Sequence, residues 1–333
     1  MNHNDLELPM GKRTLLYRLF EILPAFLSYG MLILFIILSL INPLWASIYL
    51  LVLVMSVIVR SIGIAYRTLT GHHQLEKAQM VDWRQRLEQL EDPVASYAAI
   101  QQQPLPRRHQ REFHAQEHRE NLRLMAADSA SFPRPSQLYQ AVIVAAYNES
   151  YDVLQPTIES VKNTTYNNKQ IILVLAYEER GGVDIARTAA RLQQEYGDVF
   201  FTFQTIMHPK DMPDEVIGKG GNITYAGKQL QRYCDEQGIA YSDVMITTLD
   251  SDNRPYPSYF DYVAYEYIVH PERKRLSYQP IALYFGNIWD APAPMRVIAT
   301  GNSFWTIISS MRPHTLRNFA SHSQPMDALV EMN

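Results

Sequence analysis

The chain has 333 residues, a formal net charge of −4 at pH 7 and one cysteine, Cys234. Its length allows one large or two modest domains, and the slightly acidic balance gives no reason to expect nucleic acid as a partner. A lone cysteine excludes an intrachain disulfide framework and fits a reducing compartment; it falls in a helix-like stretch and reads as a small packed residue.

Apolar residues concentrate near the amino terminus. Residues 22–41 form an uncharged run broken only by Pro24, Ser28, Gly30 and Ser39; Asn42-Pro43 is a turn signal; residues 44–66 form a second run interrupted by Arg60. Each approaches the roughly 20 residues that cross a bilayer. A signal peptide would have a shorter apolar core followed by small residues at a cleavage site, so a transmembrane hairpin over 1–71 is the expectation. Lys12, Arg13 and Arg18 precede the first span, Arg60 and Arg67 close the second, and the turn is uncharged. That asymmetry predicts a multi-pass cell-membrane protein with both termini and the remaining chain in the cytoplasm. Tyr17, Trp45, Tyr49 and Tyr66 fall near the expected interfaces.

Residues 72–137 read as a helical, charged connector. Met80, Trp83, Leu87, Leu90 and Val94 step by three and four, predicting one amphipathic helix of about two heptads, too short for a coiled coil. Pro93, Pro104 and Pro106 punctuate the stretch. His114 and His118 at i, i+4 would share a helix face, where zinc and a solvated charged face are the competing readings. Arg107, Arg108 and Arg111 suit either anionic headgroups or solvent. Ser129 to Ser136, with Pro133 and Pro135, reads as a linker.

From Leu138 the pattern alternates. Apolar runs at Ala141–Tyr147, Ile171–Tyr177, Val199–Met207 and Met245–Asp250 predict strands, and helix-spaced apolar residues lie between them. Continuous rather than alternating apolar strands imply a parallel sheet covered on both faces, an α/β domain over 138–333. Ligands of such sheets bind beyond the carboxyl ends of the strands. There the chain carries Tyr147-Asn148-Glu149, Glu178-Glu179 and Asp250-Ser251-Asp252. Two carboxylates at i, i+2 leaving a buried strand are costly unless a cation or a strong donor set faces them; a hard divalent ion with oxygen ligands is one answer, and turn or N-cap roles before Pro255 are the other. Gly218-Lys219-Gly220-Gly221-Asn222 precedes a helix, where backbone amides approach an anion and Lys219 adds a charge-assisted bond; the stretch lacks the spacing of a Walker A loop.

The ordered set Ala146-Tyr147-Asn148-Glu149, Gly218–Asn222 and Leu249–Asn253 resembles the family-2 glycosyltransferases, and the upstream hairpin is similar to the arrangement in membrane-integrated polysaccharide synthases. The resemblance covers about residues 138–310. It implies a GT-A nucleotide-diphospho-sugar transferase fold preceded by a two-helix transmembrane hairpin. It also implies a nucleotide-sugar donor, with a UDP-sugar expected, and a polysaccharide or lipid acceptor. Ala145, Ala146 and Tyr147 would line the base pocket and Glu149 would bond the nucleoside. Lys219 and Asn222 would lie along the nucleotide and sugar, and Asp250 would contact the nucleotide. Asp252 would ligate Mg²⁺ or Mn²⁺ on the diphosphate, in an inverting displacement.

Two features depart from the family pattern. The second strand ends in Tyr177-Glu178-Glu179 where an acidic pair is usual, with Glu178 or Glu179 as the substitute. Gly301-Asn302-Ser303-Phe304-Trp305 resembles the segment before the family's acidic general-base motif, yet no convincing motif follows. Asp327 and Glu331 are late carboxylates at i, i+4, expected on a solvated helix face. The expectation is a chain incomplete on its acceptor side, with a partner chain as one source of the remainder. Three readings stay open: a transferase, a donor-binding or scaffold subunit without activity, and a nucleotidyltransferase. Three glycosylation-pattern triplets, at Asn148, Asn163 and Asn222, are discounted because the expected topology keeps them cytoplasmic.

Overall fold

The chain divides into two compact units, residues 1–70 and 71–333. The structure, a computed structural model, describes residues 14–102, 112–213, 218–286, 288–312, 318 and 321–332. Lys12, Arg13, Pro104, Pro106, Arg107, Arg108 and Arg111, invoked above, lie outside the described residues.

In the first unit the apolar runs are helical, α1 (Leu15–Ile41) and the start of α2 (Pro43–Gln79). Thr14 caps α1 by accepting from the Tyr17 amide, and Asn42 turns the chain by accepting the Leu44 amide on its side chain. At about 1.5 Å per residue α1 spans roughly 40 Å and α2 roughly 55 Å, against about 30 Å of bilayer hydrocarbon. None of the residues in their most apolar windows is buried in the protein. The polar side chains bond within their own helices: Ser28, Ser39 and Ser47 each donate to the carbonyl four residues back, at 2.8–2.9 Å. Apolar surroundings demand that pattern, because an unpaired hydroxyl there is costly. Tyr49 donates to the Met31 carbonyl at 3.0 Å and stacks with Phe35 across the hairpin. Two long, exposed, apolar helices near the amino terminus suggest association with a membrane.

The second unit is mixed α/β. After α3 (Trp83–Gln89), α4 (Pro93–Gln101) and α5 (Ala115–Ala127) come β1 (Tyr139–Ala146), α6 (Tyr151–Lys162), β2 (Ile171–Glu178), α7 (Val183–Tyr196) and β3 (Thr202–His208). Then follow α8 (Lys219–Gln237), β4 (Val244–Asp250), α9 (Tyr259–Val269), α10 (Ala293–Ser310), β5 (Ser323–Pro325) and α11 (Met326–Met332). The sheet order is β3-β2-β1-β4-β5, with the first four strands parallel and β5 antiparallel on β4. Alternate residues of β1 enter different cores. Val142, Val144 and Ala146 face the cluster built with α6, α7, α9 and α3; Ala141 and Ile143 face α8 and α11. Burial on both faces explains the unbroken apolar reading of these strands. Cys234 is fully buried in the second cluster.

The amino-terminal part of this unit departs from the expected connector. The stripe from Met80 to Val94 is not one helix. Asp82 caps α3 and Asp92 caps α4, with Pro93 in its first turn, so the chain changes direction twice. Trp83, Leu87 and Leu90 are buried in the sheet's core, whereas Met80 is 83% and Val94 58% exposed. Trp83 stacks on Tyr262 of α9 at 3.9 Å and donates from Nε1 to the Ala78 carbonyl. The segment Ser129–Ser136 is fastened rather than free: Ser136 donates amide and hydroxyl to the two oxygens of Glu91.

His114 and His118 do not share a metal site. His114 precedes α5 in a left-handed conformation, and His118 is buried between Gln89 and Tyr265. With the Gln89 carbonyl oxygen 2.7 Å from Nε2, that nitrogen donates, so Nδ1 accepts the Tyr265 hydroxyl at 2.9 Å. Among the described residues no group of three or more His, Cys, Asp or Glu gathers. Burial first, then the Arg86 guanidinium, pull the His118 imidazole down to about 4. Because the folded value lies below the ordinary 6.5, the neutral ring's contribution is complete above pH 6.5 and is lost as pH falls towards 4. Wild type should therefore lose roughly 3 kcal/mol more than His118→Gln over that interval, read as the difference between their denaturant midpoints.

Candidate functional site

The sheet brings the predicted residues together through its connectivity. The chain moves outward from β1 to β2 and β3, then returns across the opposite face through α8 to place β4 on the other edge of β1. Strand order reverses between β1 and β4, and a crevice opens where loops leave a parallel sheet in opposite directions. Register places Ala145 beside both Ala176 and Asp250, and Ala146 beside Tyr177.

A cleft of about 360 Å³ occupies this edge, lined by Ala145, Ala146, Tyr147, Glu149, Glu178, Arg180, Gly218, Lys219 and Asn222. A larger one of about 630 Å³ lies along the outer edge of β3 and holds none of the predicted residues. Chemistry, not volume, favours the smaller cleft, because charged groups from three different segments converge on it. Ala145 and Ala146 are buried and small, leaving room for a flat ligand beside Tyr147, which is 46% exposed.

Glu149 joins the loops after β1 and β4. One oxygen accepts the Tyr147 amide at 2.6 Å and the other accepts the Ser251 hydroxyl at 3.3 Å. Ser251 is held in turn by Thr157 of α6, whose hydroxyl donates to its carbonyl at 2.7 Å. Asp250 forms an ion pair with Lys219 at the start of α8, and Asp252 is exposed beyond it. Burial lowers the Lys219 ammonium from its ordinary value, while the charges of Asp252 and Glu149 oppose that shift. One lysine thus stands among carboxylates from two loops.

Gly218 opens α8 at φ +148, a conformation that L side chains rarely adopt, although open space surrounds it. Among the described residues no side chain caps the start of this helix. Asn222, 1% exposed, donates from its amide nitrogen to the carbonyls of Ala146 and Ala176 at 3.2 and 3.0 Å. It ties the ends of β1 and β2 to α8, and its Oδ1 has no partner among the described residues. Its burial is also incompatible with glycosylation.

At the end of β2 Glu178, 5% exposed, lines the cleft and is ion-paired with Arg180. Glu179 turns away and accepts the Lys210 amide at 3.0 Å. Asp327 is not on a solvated face: its side chain is 14% exposed and pairs with Lys274 at 3.3 Å. It also lies beside the amino end of β4, since Met245 pairs with Pro325, and is therefore at the far end of the strand from Asp250. Arg180, Ser251 and Thr157 were missed as site components. Arg180 had no signal beyond its distance of two residues from Glu178, and Thr157 reaches the site only through folding.

The family described as glycosyl transferase family 2 matches residues 141–206, from β1 to β3. This match over the first three strands supports glycosyltransferase chemistry with a nucleotide-sugar donor and an acceptor; enzymes of the matched family commonly use divalent metals. No curated protein matches the chain.

Replacing Asn222 by Ala would remove a side-chain donor from two strand-end carbonyls. A loss of about 1–3 kcal/mol is expected, measured as a lower denaturation midpoint of the solubilised chain.

Proposed function

We propose that this chain is a membrane-anchored glycosyltransferase. It takes a nucleoside-diphosphate sugar, with a UDP-sugar as the expected donor, and passes the sugar with inversion to a polysaccharide or lipid acceptor. The observation that carries this reading is the convergence of Tyr147, Glu149, Glu178, Lys219 and Asn222 on one cleft at the carboxyl edge of the family-matched strands, with Asp250 and Asp252 alongside.

In this reading the base lies against Tyr147 over Ala145 and Ala146, and Glu149 keeps the two loops in register while bonding the nucleoside. Lys219, held by Asp250 before the donor arrives, turns to a diphosphate oxygen, and the unpaired amides of the first turn of α8 add donors to the same anion. Asp252 offers exposed carboxylate oxygens to Mg²⁺ or Mn²⁺. Such an ion would need only one or two protein carboxylates, with phosphate and water supplying its other ligands. When bound, the ion stabilises negative charge on the departing diphosphate. The C1–diphosphate bond breaks, its electron pair leaving with the diphosphate, as the acceptor oxygen bonds to C1 from the opposite face and gives up its hydroxyl proton to a general base on the acceptor side.

Both chain ends are assigned to the cytoplasm, on the evidence of Arg18 before the first apolar run and Arg60 and Arg67 at the end of the second. We group residues 72–137 with the domain that follows, because Trp83, Leu122 and the strands share one core.

Titration of UDP into the purified chain tests the site. Affinity should require Mg²⁺ or Mn²⁺, vanish with a chelator, and fall at least about tenfold in Asp250→Ala or Asp252→Asn, on the scale of one lost charge-assisted contact. Unchanged metal-dependent affinity in both variants would overturn the assignment. Release of inorganic diphosphate from a nucleoside triphosphate and a sugar phosphate would identify a nucleotidyltransferase instead.

A further inference from the structure

A helix at the surface of a soluble domain turns its apolar stripe inward. In α10 the inner face is part polar and several large apolar side chains point outward. Its inner face carries Ser303, fully buried, whose hydroxyl accepts the Tyr284 amide at 2.9 Å and donates to the Ala299 carbonyl at 3.1 Å. Beside it Thr306 donates to the Ala282 carbonyl at 2.8 Å. The outer face presents Met295, Val297, Ile298, Phe304 and Trp305, each between 47% and 73% exposed. In the preceding loop Trp289 is 80% exposed, with the Arg296 guanidinium 5.4 Å from its ring. So many large apolar side chains on one outward face mark an interaction surface.

The occupant follows from where α10 is attached. The inner residue Ile307 packs on Gly71 in the emergent end of α2. A Cβ there would lie 2.8 Å from Ile307 Cγ2 and 3.0 Å from the Ile307 carbonyl oxygen, so only a glycine admits the contact. Gly71 comes four residues after Arg67, the charge at which the second apolar run closes. Four helical residues rise about 6 Å. The contact of Ile307 therefore falls on α2 about one turn past Arg67. Tryptophan with arginine beside it is the side-chain chemistry of the headgroup level.

We infer that α10 lies on the bilayer surface as an interfacial helix, its outer face set among the lipid headgroups and upper acyl chains. The inference rests on anchoring through α1 and α2. The apolar face would sink about 5–10 Å into the headgroup boundary. It adds a second attachment, on the carboxyl-terminal side of the strand that bears Asp250.

The full chain in lipid nanodiscs allows a direct test with bimane attached at Val297→Cys, a position 73% exposed. Cys234 does not compete, being buried with its thiol pushed up to about 11 by that burial. A second variant, Leu51→Cys, 61% exposed in the apolar part of α2, reports anchoring independently. The expected result is strong quenching at 297 by lipid spin-labelled near the headgroup, and at 51 by lipid labelled near the chain end. A label at 297 that both lipids spare and aqueous iodide quenches, with 51 still quenched by lipid, overturns the interfacial helix and leaves anchoring intact. If neither position is quenched by lipid, both readings fail. A disulfide-linked dimer of unlabelled Val297→Cys, with no lipid quenching at 297, assigns the face to a second copy and also overturns the inference.

Discussion

Every part of the site depends on β1 having hydrogen-bonded neighbours on both edges and packed side chains on both faces. A strand so confined cannot slide, because a shift of one residue would exchange Val142 and Val144 for Ala141 and Ile143 between two differently shaped cores. With β1 immobile, the loops that leave β1 and β4 are held side by side. Glu149 then spans them, and Asn222 fastens α8 to the adjoining strand ends. The cleft is a consequence of this register rather than of the loops themselves.

The electrostatics follow from the same placement. Asp250, Asp252, Glu149 and Lys219 are brought close by strand ends that carry few other charges, and Lys219 is the cation that moderates the carboxylates. A ligand bearing a diphosphate and a divalent ion would offer each of these groups a better partner than it has without ligand. A half-exposed ion pair such as Asp250–Lys219 contributes little to folding.

The route from α2 into the second unit is short. Trp83 follows α2 after three residues and stacks on Tyr262 in α9, the helix that comes next after the Asp250–Asp252 loop. His118, Arg86 and Tyr265 extend that contact with buried polar groups. Segments that would act as a loose tether if exposed instead form part of the core beneath the loop bearing the carboxylates.

Local pattern in the sequence determined the elements whose signals are carried by neighbouring residues. The two apolar runs are long enough to identify themselves as helices, and the four strands were legible because burial on both faces leaves no alternation to confuse them. The carboxylates at the strand ends and the glycines before α8 were legible for the same reason: parallel sheets collect their chemistry at one edge. Tertiary structure alone decided the rest. The stripe from Met80 to Val94 looked like one helix because periodicity does not register two aspartate caps. His118 became a core residue only when Tyr265, distant in sequence, closed over it. Glu178 rather than Glu179 faces the cleft because β2 ends one residue later than its apolar run, and Asp327 is removed from the site because β5 runs antiparallel to β4. The part-polar inner face of α10 likewise depends on which face meets Ala282 and Tyr284. These outcomes turn on contacts between residues far apart in the chain, which no local pattern encodes.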